Sequence, residues 1–263
     1  MTEIKVTNLS VKIGTKKVLN KISFSAIKGD VFAIVGPNGT GKSTLLKSIM
    51  NHFNVHITNG SITFNGKNIK NLATDKIAKF GVFYATQNPT ELEGIQTLEF
   101  LKIIVNETSK DKVGFYQLYS RINDLMKSLD LPQEILTRNV NVGFSGGQKK
   151  KHEILQAQLF NPSLLLLDEI DSGLDIDAIQ IIADFINKNR KDRITIIVSH
   201  HLDFLYSLKP NKVLVLIDGS IAKIGDLSLV KKIEKNGYKQ FIPKQKNQPD
   251  FEITDPYLAC HRK

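Results

Sequence analysis

Apolar and polar residues alternate from Ile4 to Ile13 and again from Val18 to Ile27, with Gly14 between the runs and Lys28-Gly29-Asp30 after the second. A period of two with turn residues between predicts paired strands, each burying one face. Val31 to Val35 abandons the alternation for a continuous apolar run, the pattern of a short strand covered on both faces. Leu164 to Leu167 and Ile194 to Val198 repeat it. Elsewhere the period lengthens. Leu45, Leu46, Ile49 and Met50 predict a helix over Ser43 to Phe53, and helical spacing also marks Leu98–Val105, Tyr116–Leu129 and Ile179–Ile186. Strand signals surround Gly60 to Phe64 with a turn at Asn65-Gly66, and Asp218-Gly219 joins Val213–Ile217 to Ser220–Ile224 as a hairpin. Buried strands alternating with helices predict an α/β chain. Its parallel-sheet core carries an antiparallel strand group at the front and a helical insert at about residues 88–160.

The 263 residues suffice for one sizeable core, and they hold no internal repeat. No apolar run reaches bilayer length, and the polar, acid-containing start resembles neither a secretory signal nor a transit peptide, so a cytoplasmic protein without membrane insertion is expected. The stroma or matrix of an organelle remains open if a transit segment has been trimmed. The one cysteine, Cys260, fits a reducing compartment. The polar stretch from Pro243 to Lys263 reads as a loosely held tail after a domain spanning 1–242. A net charge of +10 invites nucleic acid. The chain has only five arginines (Arg121, Arg138, Arg190, Arg193 and Arg262), and its lysines are scattered, with Lys149-Lys150-Lys151 the longest run. Since arginine is the preferred residue for bidentate phosphate and base contacts, a solvated basic surface and no nucleic-acid partner are expected.

Chemistry enters at Gly36-Pro37-Asn38-Gly39-Thr40-Gly41-Lys42-Ser43, a phosphate-loop pattern with a strand before it and a helix, opening through Thr44, after it. Its glycines let successive backbone N–H groups face phosphates at a helix start. Lys42 is placed for the β- and γ-phosphates of ATP and the Ser43 hydroxyl for Mg²⁺. Asp168, at the end of an apolar strand, is a second Mg²⁺ candidate, and Glu169 beside it is the candidate general base for the attacking water. Gln87, after Gly81 to Thr86, could touch both metal and water. His200, following Val198-Ser199, is the candidate γ-phosphate contact, with His201 as the alternative.

Ser145-Gly146-Gly147 precedes a helix expected near Gln148 and makes a second anion-binding helix start. It lies on the insert, so one chain can hardly bring both helix starts to one γ-phosphate. Two chains in head-to-tail apposition can, with two shared sites.

This ordered set, completed by Ser172-Gly173-Leu174-Asp175, resembles the ATP-binding-cassette ATPases over nearly the whole chain to about Ile242. The resemblance implies that family's fold, with a RecA-like core, and an ATP-dependent homodimer in which Ser172 to Asp175 crosses the interface and Asp175 joins the nucleotide site. Within the family, Ile170 to Ala178, Thr137 to Gly147, Asn88 to Ile95 and Gly225 to Tyr238 are similar to SufC, the ATPase of the Suf iron–sulfur cluster assembly system. That likeness implies SufB- and SufD-like scaffold partners rearranged by closure. The chain itself could not hold a cluster, with one cysteine against the usual four. Gln148, where SufC proteins usually carry an acid, restores the form common in transport cassettes, and Ser199-His200-His201 and the Pro243–Lys263 extension also depart. A nucleotide-binding subunit of a membrane transporter is therefore the alternative. Many cassettes stack an aromatic on adenine where this chain has Val11 or Ile13. The segment from Gln87 to about Leu98, with Glu91 and Glu93, is the expected docking surface.

Overall fold

The computed structural model describes residues 2–108 and 114–242. The two alternating runs are β1 (Glu3–Ile13) and β2 (Lys16–Ile27), paired antiparallel. β3 (Val31–Val35) leads through the glycine loop into α1 (Lys42–Ile49). β4 (His56–Phe64) pairs with β1 and with the short β5 (Lys67–Asn68), giving an antiparallel sheet in the order β2-β1-β4-β5. There follow α2 (Thr74–Lys79), β6 (Val82–Ala85), β7 (Leu92–Gln96), α3 (Thr97–Thr108), α4 (Phe115–Ser128), β8 (Asn139–Val140) and α5 (Gly146–Phe160). The chain then runs through β9 (Leu164–Asp168), α6 (Ile176–Lys188), β10 (Ile194–Val198), α7 (Leu202–Leu208), β11 (Lys212–Ile217), β12 (Ser220–Gly225) and α8 (Ser228–Asn236).

The three continuous apolar runs sit side by side in a second sheet, ordered β12-β11-β3-β10-β9-β6. Its neighbours are parallel from β11 to β6, and β12 returns antiparallel as the second arm of the hairpin. Both faces of this sheet are covered, which is why its strands lack alternation. Phe32, Ile34, Leu164, Leu166, Ile196 and Val198 pack with α1 and the antiparallel sheet. Ala33, Val35, Leu165, Leu167 and Ile197 pack with the helices between β7 and β10. At the hairpin, Asp218 and Gly219 both have positive φ (46° and 71°), the conformation of a tight primed turn. The Gly219 carbonyl accepts the Asn20 N–H at 2.8 Å and ties the two sheets together.

Parallel register sets the functional end. Val198 pairs with Ile34 and with Asp168, and Ala85 pairs with Leu167. The residues after β3, β6, β9 and β10 therefore emerge at one edge, where ligands of parallel sheets bind. Two expectations need correction. The helix expected to reach Phe53 stops at Ile49, because Asn51 takes the left-handed conformation (φ 47°) and Phe53 is left exposed. The insert is not helical throughout: it opens with β7, paired antiparallel to the two-residue β8. The tail from Pro243 and Cys260 lie outside the described residues. Among the described residues, no helix is long and apolar enough to cross a membrane.

Candidate functional site

The phosphate loop leaves β3 and turns into α1 at Gly41, which caps the helix with φ 100°. A side chain there would be strained, and a Cβ would meet Leu19 Cδ2 at 2.7 Å. Lys42 is buried, and its Nζ donates to the carbonyls of Gly36 and Pro37, both at 2.9 Å. Burial pushes its pKa down, while the Glu169 and Asp168 carboxylates pull it back up. Thr40 Oγ1 donates to the Pro37 carbonyl at 2.9 Å and braces the loop. Asn38, Gly39, Gly41, Lys42, Ser43 and Thr44 line a cleft of about 520 Å³ with Gln87 and Glu169.

Ser43 Oγ donates to Asp168 Oδ1 at 2.8 Å, so the two predicted metal oxygens meet across the sheet edge. Tyr84, from β6, donates its hydroxyl to Asp168 Oδ2 at 2.8 Å. Burial is the largest influence on Asp168 and pushes its pKa up, against these two donors. Hard oxygen donors of this kind suit Mg²⁺, which usually binds through one or two protein oxygens plus phosphates and waters. No group of three or more His, Cys, Asp or Glu side chains that could cage a metal occurs among the described residues, and Mg²⁺ does not need one.

Glu169 carries a left-handed backbone (φ 50°), held by its N–H on the Val198 carbonyl at 3.0 Å. That conformation is costly for a side-chain-bearing residue, and such strain concentrates at functional positions. It presents the carboxylate to two groups: Gln87 Nε2 donates to Oε2 at 2.5 Å, and His200 Nε2 lies 3.2 Å from Oε1. Burial and the nearby Lys42 charge lower the pKa of His200, although Glu169 opposes them. His201 is exposed. Of the two histidines, His200 is the one brought to Glu169.

Ser145-Gly146-Gly147 and Asp175 sit together in another cleft, of about 650 Å³, whose lining shares no residue with that of the phosphate loop. Ser145 caps α5: its Oγ accepts the Gln148 N–H at 3.2 Å, and Gln148 Oε1 accepts the Ser145 N–H at 3.0 Å. This reciprocal capping box leaves the Ser145 hydroxyl proton free to donate. Asp175 Oδ1 accepts the Ala178 N–H at 2.7 Å and caps α6. The two helix starts expected to bind anions thus lie in separate clefts of one chain.

The chain matches the ABC transporter family model over residues 19–172. It belongs to the ABC transporter family. It is accordingly an ATPase, binding and hydrolysing ATP. A probable ABC transporter ATP-binding protein of Streptococcus pyogenes is 40% identical over 241 residues, 90% of this chain and 94% of that one. The probable ATP-dependent transporter SufC of Escherichia coli is 40% identical over 243 residues, 89% of this chain and 97% of that one. Among solved structures, a dimeric post-hydrolysis ATP-binding cassette bound to ADP and Pi superposes with a TM-score of 0.75 at 20% identity, covering 85% of this chain and 98% of that one. The α/β architecture is that of the ABC ATPase fold.

Several site residues escape sequence reasoning. Of the two candidate adenine contacts, Val11 is fully buried and Ile13 lines the cleft, joined by Lys16 and Val18. Tyr84 carries no motif, and only its position opposite Leu166 in the register points toward Asp168. Asp171 is buried, accepts the Ser199 hydroxyl at 2.6 Å, and is pushed up by burial. The Lys149–Lys151 run is engaged internally. Lys149 pairs with Glu91 at 2.6 Å, Lys150 reaches the Thr86 and Gln87 carbonyls, and Lys151 lies 3.4 Å from Asp130.

Proposed function

We propose that this ATPase works in the cytoplasm as the motor of a SufB/SufD-type scaffold. In this reading it closes as an ATP-bound homodimer and rearranges the scaffold for iron–sulfur cluster assembly. The observation that carries this reading is the 40% identity to the Escherichia coli protein named SufC across 97% of its length. Residues 1–242 form the ATPase domain, with a helical subdomain over about 88–160 and a polar tail after it. The separate clefts support the shared site, since each holds one half of what a γ-phosphate needs. In the closed dimer, the phosphate loop of one chain and Ser145-Gly146-Gly147 with Asp175 of the other flank each ATP.

Ser43 and Asp168, with Gln87 nearby, would hold Mg²⁺, which when bound neutralises charge on the β- and γ-oxygens. Lys42 leaves the loop carbonyls for the phosphates, exchanging one set of oxygen acceptors for another. Glu169 takes a proton from water. The water oxygen bonds to the γ-phosphorus, the bond to the β–γ bridging oxygen breaks, and ADP and phosphate leave. Gln87 orients the carboxylate and the water, and His200 donates toward the γ-phosphate.

A transporter role is the second reading, favoured by the name of the Streptococcus relative. Purifying the chain with its partners separates the two: soluble scaffold proteins with iron and sulfide support the first, and integral membrane proteins the second. Glu169→Gln tests the site. It should retain ATP binding, lose turnover and accumulate as a dimer in ATP by size-exclusion chromatography. Hydrolysis at the parent rate would remove Glu169 as the base.

A further inference from the structure

Helix α5, capped by Ser145, buries polar side chains alongside its apolar ones. Lys150, His152 and Glu153 are all under a tenth exposed. Lys150 and Glu153 find their partners at Thr86 and Gln87, and His152 reaches the same stretch only through Asn141. Lys150 Nζ donates to the backbone carbonyl of Thr86 at 3.2 Å and to that of Gln87. Glu153 Oε1 accepts the Thr86 N–H at 3.0 Å. His152 Nδ1 lies 2.8 Å from Asn141 Oδ1, and Asn141 Nδ2 donates to the Thr90 carbonyl at 2.7 Å. Nearer solvent, Lys149 pairs with Glu91 at 2.6 Å.

Burying a cation and a carboxylate is expensive, and an apolar pair of similar volume would serve stability as well or better. What these groups provide is geometry. They grip the backbone N–H and carbonyl of Thr86 and the carbonyl of Gln87, whose side-chain amide donates to Glu169 Oε2 at 2.5 Å. We propose that Lys150 and Glu153 are positioning residues that lock Thr86 and Gln87 to α5. Those contacts hold the Gln87 amide where it meets Glu169. This inference rests on Gln87 acting in the hydrolytic site proposed above.

The test is a double-mutant cycle on ATP turnover by the full chain, with Lys150→Met, Gln87→Ala and both together. Lys150→Met should lower kcat by about 10- to 100-fold, the penalty of a catalytic group displaced by up to about 1 Å, with little change in KM. In the Gln87→Ala background the same substitution should cost less than about twofold, because the group it positions is already gone. Lys150→Arg should restore part of the rate. Should Lys150→Met fail to fold, Lys150→Gln, which keeps amide donors, runs the same cycle. Full multiplication of the two losses, or a rise in KM with kcat unchanged, overturns the positioning role and leaves the hydrolytic site standing. Parental turnover in Gln87→Ala overturns both.

Discussion

Glu153 offers a test that needs no nucleotide. Burial raises its pKa to about 7, and Asp168 adds to the rise, while the Thr86 N–H, Lys150 and the Thr86 hydroxyl pull the other way. Its Oε2 is buried without a hydrogen-bond partner, which accounts for the reluctance to ionise. The unfolded chain releases this proton near the ordinary 4.5 and the folded chain only near 7. Between those values the folded state binds more protons, so stability falls as pH rises, and above about 7 the whole penalty is in force. That span corresponds to about 3 kcal/mol as an upper bound. Glu153→Gln keeps an oxygen for the Thr86 N–H and cannot ionise. Parent and variant should therefore be nearly equal in stability at pH 4.5, and the variant should gain steadily to pH 8, by up to about 3 kcal/mol. In melting temperature this is about 6–12 °C for a chain of this size. Urea denaturation of both proteins from pH 4.5 to 8 reads the difference, and the carboxyls common to both largely cancel. A difference constant within about 0.5 kcal/mol across that range would refute the buried, proton-holding carboxyl.

Two further outcomes follow from the helix starts. Gln148→Ala removes half of the capping box and should cost about 1 kcal/mol in chemical denaturation, whereas Gln148→Glu should stay within about 0.5 kcal/mol, since a carboxylate accepts the same N–H at the positive end of α5. Lys42→Ala should weaken ATP binding by about 10- to 100-fold or more, the loss of a charge-assisted contact to phosphate, measured by titration calorimetry at constant Mg²⁺.

The parallel strands were legible because burial on both faces writes itself as an uninterrupted apolar run, and Val31–Val35 and Ile194–Val198 match their strands end to end. The phosphate loop and the residues after β9 and β10 were legible because backbone geometry and charge demand particular residue types there. Helix α5 was not legible by period. It buries Lys150, His152 and Glu153 beside Ile154, Leu155, Ala157 and Leu159, so polar residues interrupt its buried face, and only Ser145-Gly146-Gly147 marks its start. The ribbon of β7 and β8 was invisible for another reason: two paired residues at Asn139–Val140 are too short for any periodicity. Tyr84 and Asp171 are found only through pairings distant in sequence, with Asp168 and Ser199.

Gln148, the residue that set this chain apart from SufC-like sequences, loses that weight once its role is seen. An amide and a carboxylate close the same capping box, so the substitution does not separate a transport motor from an assembly motor. Discrimination has to come from side chains that the fold does not itself use. Glu91 is excluded, because it holds Lys149, and reversing its charge would disturb α5 whatever docks there. Glu93 is exposed on β7, and among the described residues it has no ion-pair partner. Glu93→Lys is therefore the clean probe of this surface. It should leave ATP turnover and stability of the free chain within about 0.5 kcal/mol of the parent, as expected of an exposed charge. If the proposed scaffold role holds, it should also weaken capture of a SufB/SufD-type scaffold in a pull-down from the source cells. Unchanged capture would move the docking surface away from β7.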